Sequence, residues 1–258
     1  MDGELLPVPY LVQDGAMLLI SGSCDGEWAS QALAADGLRP IIDASGRALA
    51  AIWVADFATA SLGAHGELQF SLFASDSIAA LPAAPWAVYR LLAGTGPAVM
   101  VCHRLWNTTE RVVRYNTDQL SLDARLATGG LRRAGRSWEF EFVDAAGAPI
   151  SAGSAGVPSR TRLSVLLKFA AELGPRSFWR LGRADHLSMP VTGGHRNADG
   201  SLLVSGTFTG TQNSVLKPFA TSDKLEIRDP TLRAADFRPL SLTAMTGVEF
   251  VYLPAEPE

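Results

Sequence analysis

Leu49–Phe73 reads LAAIWVADFATASLGAHGELQFSLF, and its patterning sets the fold class for the rest of the chain. Leu49–Phe57 is an apolar run containing Ile52 and Trp53, residue types that suit strands. Small residues follow from Ala58 to Gly63. Glu67–Phe73 then alternates Glu-Leu-Gln-Phe-Ser-Leu-Phe, the period-two pattern of a half-buried strand. Alternation sets Glu67 on the side opposite Leu68, Phe70 and Leu72, so the pattern alone predicts an outward-facing glutamate.

Further strands are predicted at Met17–Ser21, Trp86–Leu92, Pro97–Cys102, Ser137–Val143, Ser201–Phe208 and Gly247–Leu253. Gly94-Thr95-Gly96 reads as a turn between two of them, and Asp199-Gly200 as a hairpin turn. Helices are fewer. Asp25–Leu33 has an Asp N-cap and an apolar face at Trp28, Ala29 and Ala32. Arg104–Tyr115 places Leu105, Trp106, Thr109, Val112 and Val113 near a 3.6-residue spacing, which predicts a short helix. Val165–Ala171 fits a strand and a helix equally. No fixed-period repeat or linker divides the chain, so residues 1–258 are expected to form one domain. Many closely spaced strands with few helices predict a β-rich closed sheet.

Composition narrows the function classes. Of 258 residues, 47% are hydrophobic and 19% charged, which suits an ordered chain with a large core. A net charge of −4 gives no basic footprint, so nucleic acid is not expected as a partner. Two arginine groups, Arg104, Arg111, Arg114 and Arg132, Arg133, Arg136, are interleaved with apolar or acidic neighbours, and the second reads as a solvated face. Cys24 and Cys102 form no disulfide framework, which points to a reducing cytoplasm. The start Met-Asp-Gly-Glu has no basic n-region, and no apolar run reaches the length of a membrane span. HExxH, paired CxxC and GxSxG motifs are absent, and Gly94-Thr95-Gly96 lacks the third glycine of a dinucleotide loop. No metal or cofactor is therefore expected.

Several landmarks fall in a telling order. Pro9-Tyr10 leads into Met17–Gly22, and Trp28–Leu38 is followed by Arg39-Pro40. The run Trp53–Gly63 ends in a Leu62-Gly63 step with Glu67 shortly after. Pro97–Val101 enters Cys102-His103-Arg104-Leu105, and Thr246–Phe250 comes last. In this order, over nearly the whole chain, the sequence resembles the acetoacetate decarboxylase superfamily. The resemblance implies a β-rich α+β fold: a closed, cone-shaped antiparallel β-barrel with a flanking sheet and a few short helices. It also implies an active-site cavity inside the barrel and assembly into homo-oligomers, dimers or larger.

That family works through a Schiff-base lysine. Here the stretch His103–Tyr115, HRLWNTTERVVRY, contains none, and the family's lysine pair falls on Arg111 and Val112. The whole chain has three lysines, Lys168, Lys217 and Lys224, against nineteen arginines. An arginine cannot form the imine, because its guanidinium stays protonated and is a poor nucleophile. A second family glutamate falls near Ile52, and a family arginine near Gly15. Glu67 occupies the position of an active-site glutamate.

The resemblance makes Glu67 the leading proton carrier, since desolvation in an apolar barrel brings a carboxyl into acid/base range. Arg111 is the candidate clamp for a substrate carboxylate, and His103 the candidate second proton donor. Trp106, Tyr115, Glu110 and Trp53 are the candidate substrate-binding residues; a one-residue shift in alignment puts Glu110 in the lysine position. His65 lies two residues before Glu67 and reads as a loop histidine in solvent. Polar neighbours predict surface positions for Lys217 and Lys224. The expected function is a cofactor-independent lyase, a decarboxylase of a small or aromatic oxo or carboxylic acid working without an imine. A dehydratase, isomerase or cyclase on the same barrel, or a non-catalytic small-molecule binder, is the alternative.

Overall fold

The computed structural model describes residues 10–75, 80–81, 87–92, 98–182, 191–192 and 207–252. The first half holds β1 (Tyr10–Cys24), α1 (Gly26–Leu33), β2 (Arg39–Pro40), β3 (Ile42–Asp43), β4 (Ala48–Ala60), β5 (His65–Ser75), β6 (Ala80–Leu81), α2 (Ala87–Leu92), β7 (Ala98–Asn107) and α3 (Glu110–Asp118). The second holds β8 (Ala124–Ala134), β9 (Ser137–Asp144), β10 (Pro149–Gly156), α4 (Leu163–Gly182), β11 (Val191–Thr192), β12 (Thr207–Pro218), β13 (Lys224–Ile227), α5 (Pro230–Ala234) and β14 (Arg238–Tyr252). Trp86, Gly94–Gly96 and Asp199-Gly200 lie outside the described residues, as does most of Ser201–Phe208.

The main strand order is β12-β14-β1-β4-β5-β7-β8-β9-β10-β13. This curled sheet departs from the expected closed antiparallel barrel in two ways. Among the described residues it is open, since β12 pairs only with β14 and β13 only with β10. Its two end strands are consecutive in sequence, and side chains rather than a ladder tie the end of β12 to the end of β10 and to the loop before β13. Lys217 Nζ donates to Asp223 Oδ1 at 2.7 Å and to the Gly156 carbonyl at 2.9 Å. The second departure is that β7 and β8 run parallel. Helix α3 lies between them, and a strand that leaves through a helix returns in the same direction.

Central strands β1, β4 and β5 are buried on both faces, which explains their long apolar runs. One face carries Met17, Leu19, Trp53, Phe57 and Phe73, covered by Tyr89 of α2, Tyr115 of α3 and Phe169 of α4. The other carries Leu18, Ile20, Ile52, Val54, Phe70 and Leu72. There the β8–β10 strands curl over with Trp138, Phe140 and Phe142, and α1 adds Ala29 and Leu33. The predicted α1 start holds, with Asp25 accepting from the Trp28 amide at 2.7 Å.

Two predicted elements changed type. Ala87–Leu92 is a helix where a strand was expected over Trp86–Leu92; a short apolar run bounded by turns does not distinguish the two. Arg104–Asn107 belongs to β7, because pairing with β5 captures these residues. The helix starts only at Glu110, capped by Thr109. Val165–Ala171 is helical, within α4.

The β8–β9 hairpin depends on Gly129. Its φ is 133°, and an added Cβ would sit 1.9 Å from the Glu141 carbonyl oxygen. Gly129→Ala is expected to cost about 3 kcal/mol or more in urea unfolding, from backbone strain plus steric overlap. Gly156→Ala, where a Cβ meets nothing within 4 Å, should stay within about 0.5 kcal/mol of wild type. Equal effects would refute this account of the hairpin.

Candidate active site

Glu67 is buried, 4% exposed, on the face that also carries Trp53. The outward position predicted from alternation fails because β5 has no outward side: both its faces are covered. Strand register lays out Glu67's surroundings. Asn107 and Ala55 flank it on the neighbouring strands, then Leu105, Gln69 and Trp53 form the next row, and Cys102, Ser71 and Ala51 the third. Farther along the same face, the Ser21 and Ser241 hydroxyls hydrogen-bond each other, and Tyr89 Oη lies 2.6 Å from Thr243 Oγ1.

A directed chain of amides ends on Glu67. Asn116 Nδ2 donates to Asn107 Oδ1 at 3.0 Å, and Asn107 Nδ2 donates to Glu67 Oε2 at 3.0 Å. Asn116 belongs to the buried stripe of α3 with Val112 and Tyr115, so docking of that helix aims the chain. Burial pushes the Glu67 carboxyl up to about 7, and the Asn107 hydrogen bond only partly opposes it. Burial also raises the Tyr10 phenol and the Cys102 thiol, and the nearby Glu67 carboxyl adds to both.

His65, two residues before Glu67 on the same face, is buried in β5 rather than solvated in a loop. Its Nδ1 lies 2.9 Å from the Gly63 carbonyl, which only accepts, so Nδ1 carries the proton. Nε2 then accepts from the Tyr10 hydroxyl at 2.9 Å. Burial lowers the His65 pKa and keeps the ring neutral. Phe57 and Tyr10 pack on that ring, and Tyr10 packs on Tyr115.

The structure divides the residues singled out from the sequence. Trp53 and Tyr115 share the core on the Glu67 side. Arg111 is half-buried in the first turn of α3, one turn before Tyr115. Three others lie elsewhere. Trp106 pairs with Leu68 and belongs to the opposite core. Glu110 is exposed at the start of α3. His103 is the extra residue of a β-bulge, since Phe70 pairs with Arg104 and Ser71 with Cys102. It packs against Trp28, which also packs on Phe70, so it joins the opposite face and does not meet Glu67. Burial, then the Arg104 guanidinium, push its imidazole down to about 4.

No lysine is buried beside Glu67: Lys168 and Lys224 are exposed, and Lys217 is tied to Asp223. Among the described residues no group of His, Cys, Asp and Glu side chains converges to hold a metal ion, and no helix is long and apolar enough to cross a membrane.

Raising a carboxyl from 4.5 to about 7 has a defined effect on stability. The folded state holds the proton that the unfolded chain gives up above pH 4.5. The contribution is fully present below that pH and is lost as pH rises through 7, about 3 kcal/mol in all. Urea unfolding at pH 4 and pH 8 should show wild type losing about that much relative to Glu67→Gln. A difference between the two that does not change with pH would contradict the raised pKa.

No protein-family model and no curated protein sequence matches this chain. Solved structures do match its fold. Acetoacetate decarboxylase from Legionella pneumophila aligns with a TM-score of 0.61 at 11% identity, over 96% of this chain and 85% of that one. The enduracididine biosynthesis enzyme MppR, in complex with the condensation product of pyruvate and imidazole 4-carboxaldehyde, gives 0.57 at 13% identity, over 96% and 88%. An acetoacetate decarboxylase-like enzyme from Sphingomonas wittichii gives 0.53 at 14%, over 96% and 91%. At these identities the likeness is one of fold, and it agrees with the order of landmarks in the sequence: the chain is a divergent protein of the acetoacetate decarboxylase-like fold, with no lysine beside its buried glutamate.

Proposed function

We propose that the protein is a decarboxylase-type lyase acting on a small or aromatic oxo acid, with Glu67 as its proton carrier and no imine or cofactor. The observation that carries this reading is a buried carboxyl, bonded to the Asn107 amide, on a face that holds no lysine; burial pushes it up to about 7. A group titrating there supplies or takes a proton near neutrality. The structural neighbours named above are enzymes by name, and MppR has also been captured with pyruvate, an oxo acid; both facts support the substrate class.

In the proposed reaction the substrate is a β-oxo acid: the C–C bond to its carboxylate breaks and the electron pair moves into the adjacent carbonyl, giving CO2 and an enolate. Protonated Glu67 delivers its proton to the enolate carbon, and the resulting carboxylate regains a proton from water. Apolar Trp53 and Leu105 on the same face disfavour the compact substrate carboxylate more than the delocalised transition state. Arg111 orients the substrate through a bidentate contact to an acid group that is retained through the reaction. His103 has no part in this scheme, because it lies on the other face of the sheet.

Activity should require protonated Glu67, so kcat/KM is expected to fall as pH rises through about 7. The assay is loss of substrate by proton NMR across a panel of small and aromatic β-oxo acids. Glu67→Gln should reduce kcat by roughly 10²- to 10⁴-fold, and Arg111→Met should raise KM at least about tenfold with little change in kcat. Full activity in Glu67→Gln would sink the mechanism. Borohydride trapping of a reduced adduct on Lys217 or Lys224 would sink the imine-free claim.

A further inference from the structure

We propose that a crevice between the β8–β9 hairpin and strands β12 and β14 is a second binding site, for a planar organic carboxylate the size of a single-ring acid. It goes beyond the proposed chemistry and does not depend on it. The crevice has a volume of about 270 Å³. That is close to the lower end of small-molecule sites, roughly 300–1,000 Å³, which suits one ring and its carboxylate rather than a nucleotide.

It is distinct from the Glu67 site. Val215 and Ala244 form a register pair in its wall, and they belong to the opposite core from Glu67 together with Trp138. Trp138, a core residue only 5% exposed, contributes to the crevice's apolar wall with Val157, Pro158 and Val215. Arg133 is the cross-strand partner of Trp138, and its guanidinium sits 5.2 Å from the ring centroid. That cation–π contact holds the Arg133 charge beside the crevice wall.

Arg136 supplies the second cation. It lies in the two-residue turn between paired Ala134 and Ser137, and its carbonyl accepts from the Val157 amide at 2.8 Å. That bond pins the turn to the crevice wall. Among the described residues neither guanidinium has a carboxylate partner, and no acidic side chain lines the crevice. Glu139 pairs with Arg132, on the other side of the hairpin. Two uncompensated cations beside an indole, with Asn213 and Thr246 as the polar wall, select an anion with a flat apolar body.

The test uses benzoate, acetate and inorganic phosphate as probes of the full-length protein, by isothermal titration calorimetry with tryptophan fluorescence as a second readout. Benzoate should bind saturably at one site per chain outside the Glu67 centre, at least tenfold tighter than acetate or phosphate. The double variant Arg133→Ala/Arg136→Ala changes two exposed side chains, and its melting curve should match wild type. It should weaken benzoate binding at least tenfold, while Glu67→Gln leaves this binding unchanged. Arg133→Lys, which keeps the charge but loses the flat fork, should weaken benzoate more than phosphate. Absence of saturable benzoate binding, binding lost in Glu67→Gln but kept in the arginine double variant, or phosphate binding as tight as benzoate would each overturn the proposal. Since the Glu67 variant is read separately, failure here leaves the decarboxylase reading to its own test.

Discussion

Burial of β5 on both faces is the constraint on which the rest of the structure depends. A strand with no solvent side must place every side chain in one of two cores, and β5 does so from His65 to Ser75. Leu68, Phe70 and Leu72 meet that demand by hydrophobicity. Glu67, Gln69 and Ser71 meet it by hydrogen bonding, since a buried polar group without a partner costs several kcal/mol. Asn107 serves Glu67, and Gln69 serves Ser71 at 2.6 Å. The polar row exists because the fold forbids those residues an exit to water.

Covering both faces takes different means on each side. Helices α2, α3 and α4 close the Glu67 side, while the sheet itself bends to close the other. That bend brings β10 and β13 back toward β12, and Asp223 holds the junction. Its buried carboxylate accepts from Lys217 Nζ and from the amides of Ala220 and Gly156. One cation and two amides compensate the charge, the condition under which a buried ion pair is tolerated. The open seam is thus fastened by side chains where a closed barrel would use a ladder.

Much of this was legible in the sequence. The runs at Leu49–Phe57 and Glu67–Phe73 became β4 and β5, and Asp25 capped its helix as its position implied. The order of landmarks pointed to the right fold. What failed did so for physical reasons. Period-two alternation cannot say whether a strand's second face meets water or another layer, so Glu67 read as outward. Trp106 was expected on a helix beside the cavity, but pairing with β5 makes it part of β7 and turns it to the other core. His103 was expected near Glu67, but a bulge, which leaves no periodic mark in sequence, puts it on the opposite face. Asn107 and Asn116 were missed because their importance lies in one hydrogen-bonded chain across nine residues of sequence. Tyr10 carried a visible signal, its place after Pro9, but its bond to His65 spans 55 residues.

The absence of a lysine and the high pKa of Glu67 are two aspects of one fact. A carboxylate with an ammonium beside it is held ionised, because the opposite charge offsets desolvation. At Glu67 the amide of Asn107 opposes desolvation only in part, so desolvation prevails and the proton stays on to near neutrality. In the proposed reaction a substrate anion held close to Glu67 would add the effect of a negative charge to that of desolvation and raise the glutamate further. Under that proposal binding and protonation would reinforce each other: the anion would arrive most readily when Glu67 is neutral, and its arrival would keep Glu67 neutral until the proton is needed.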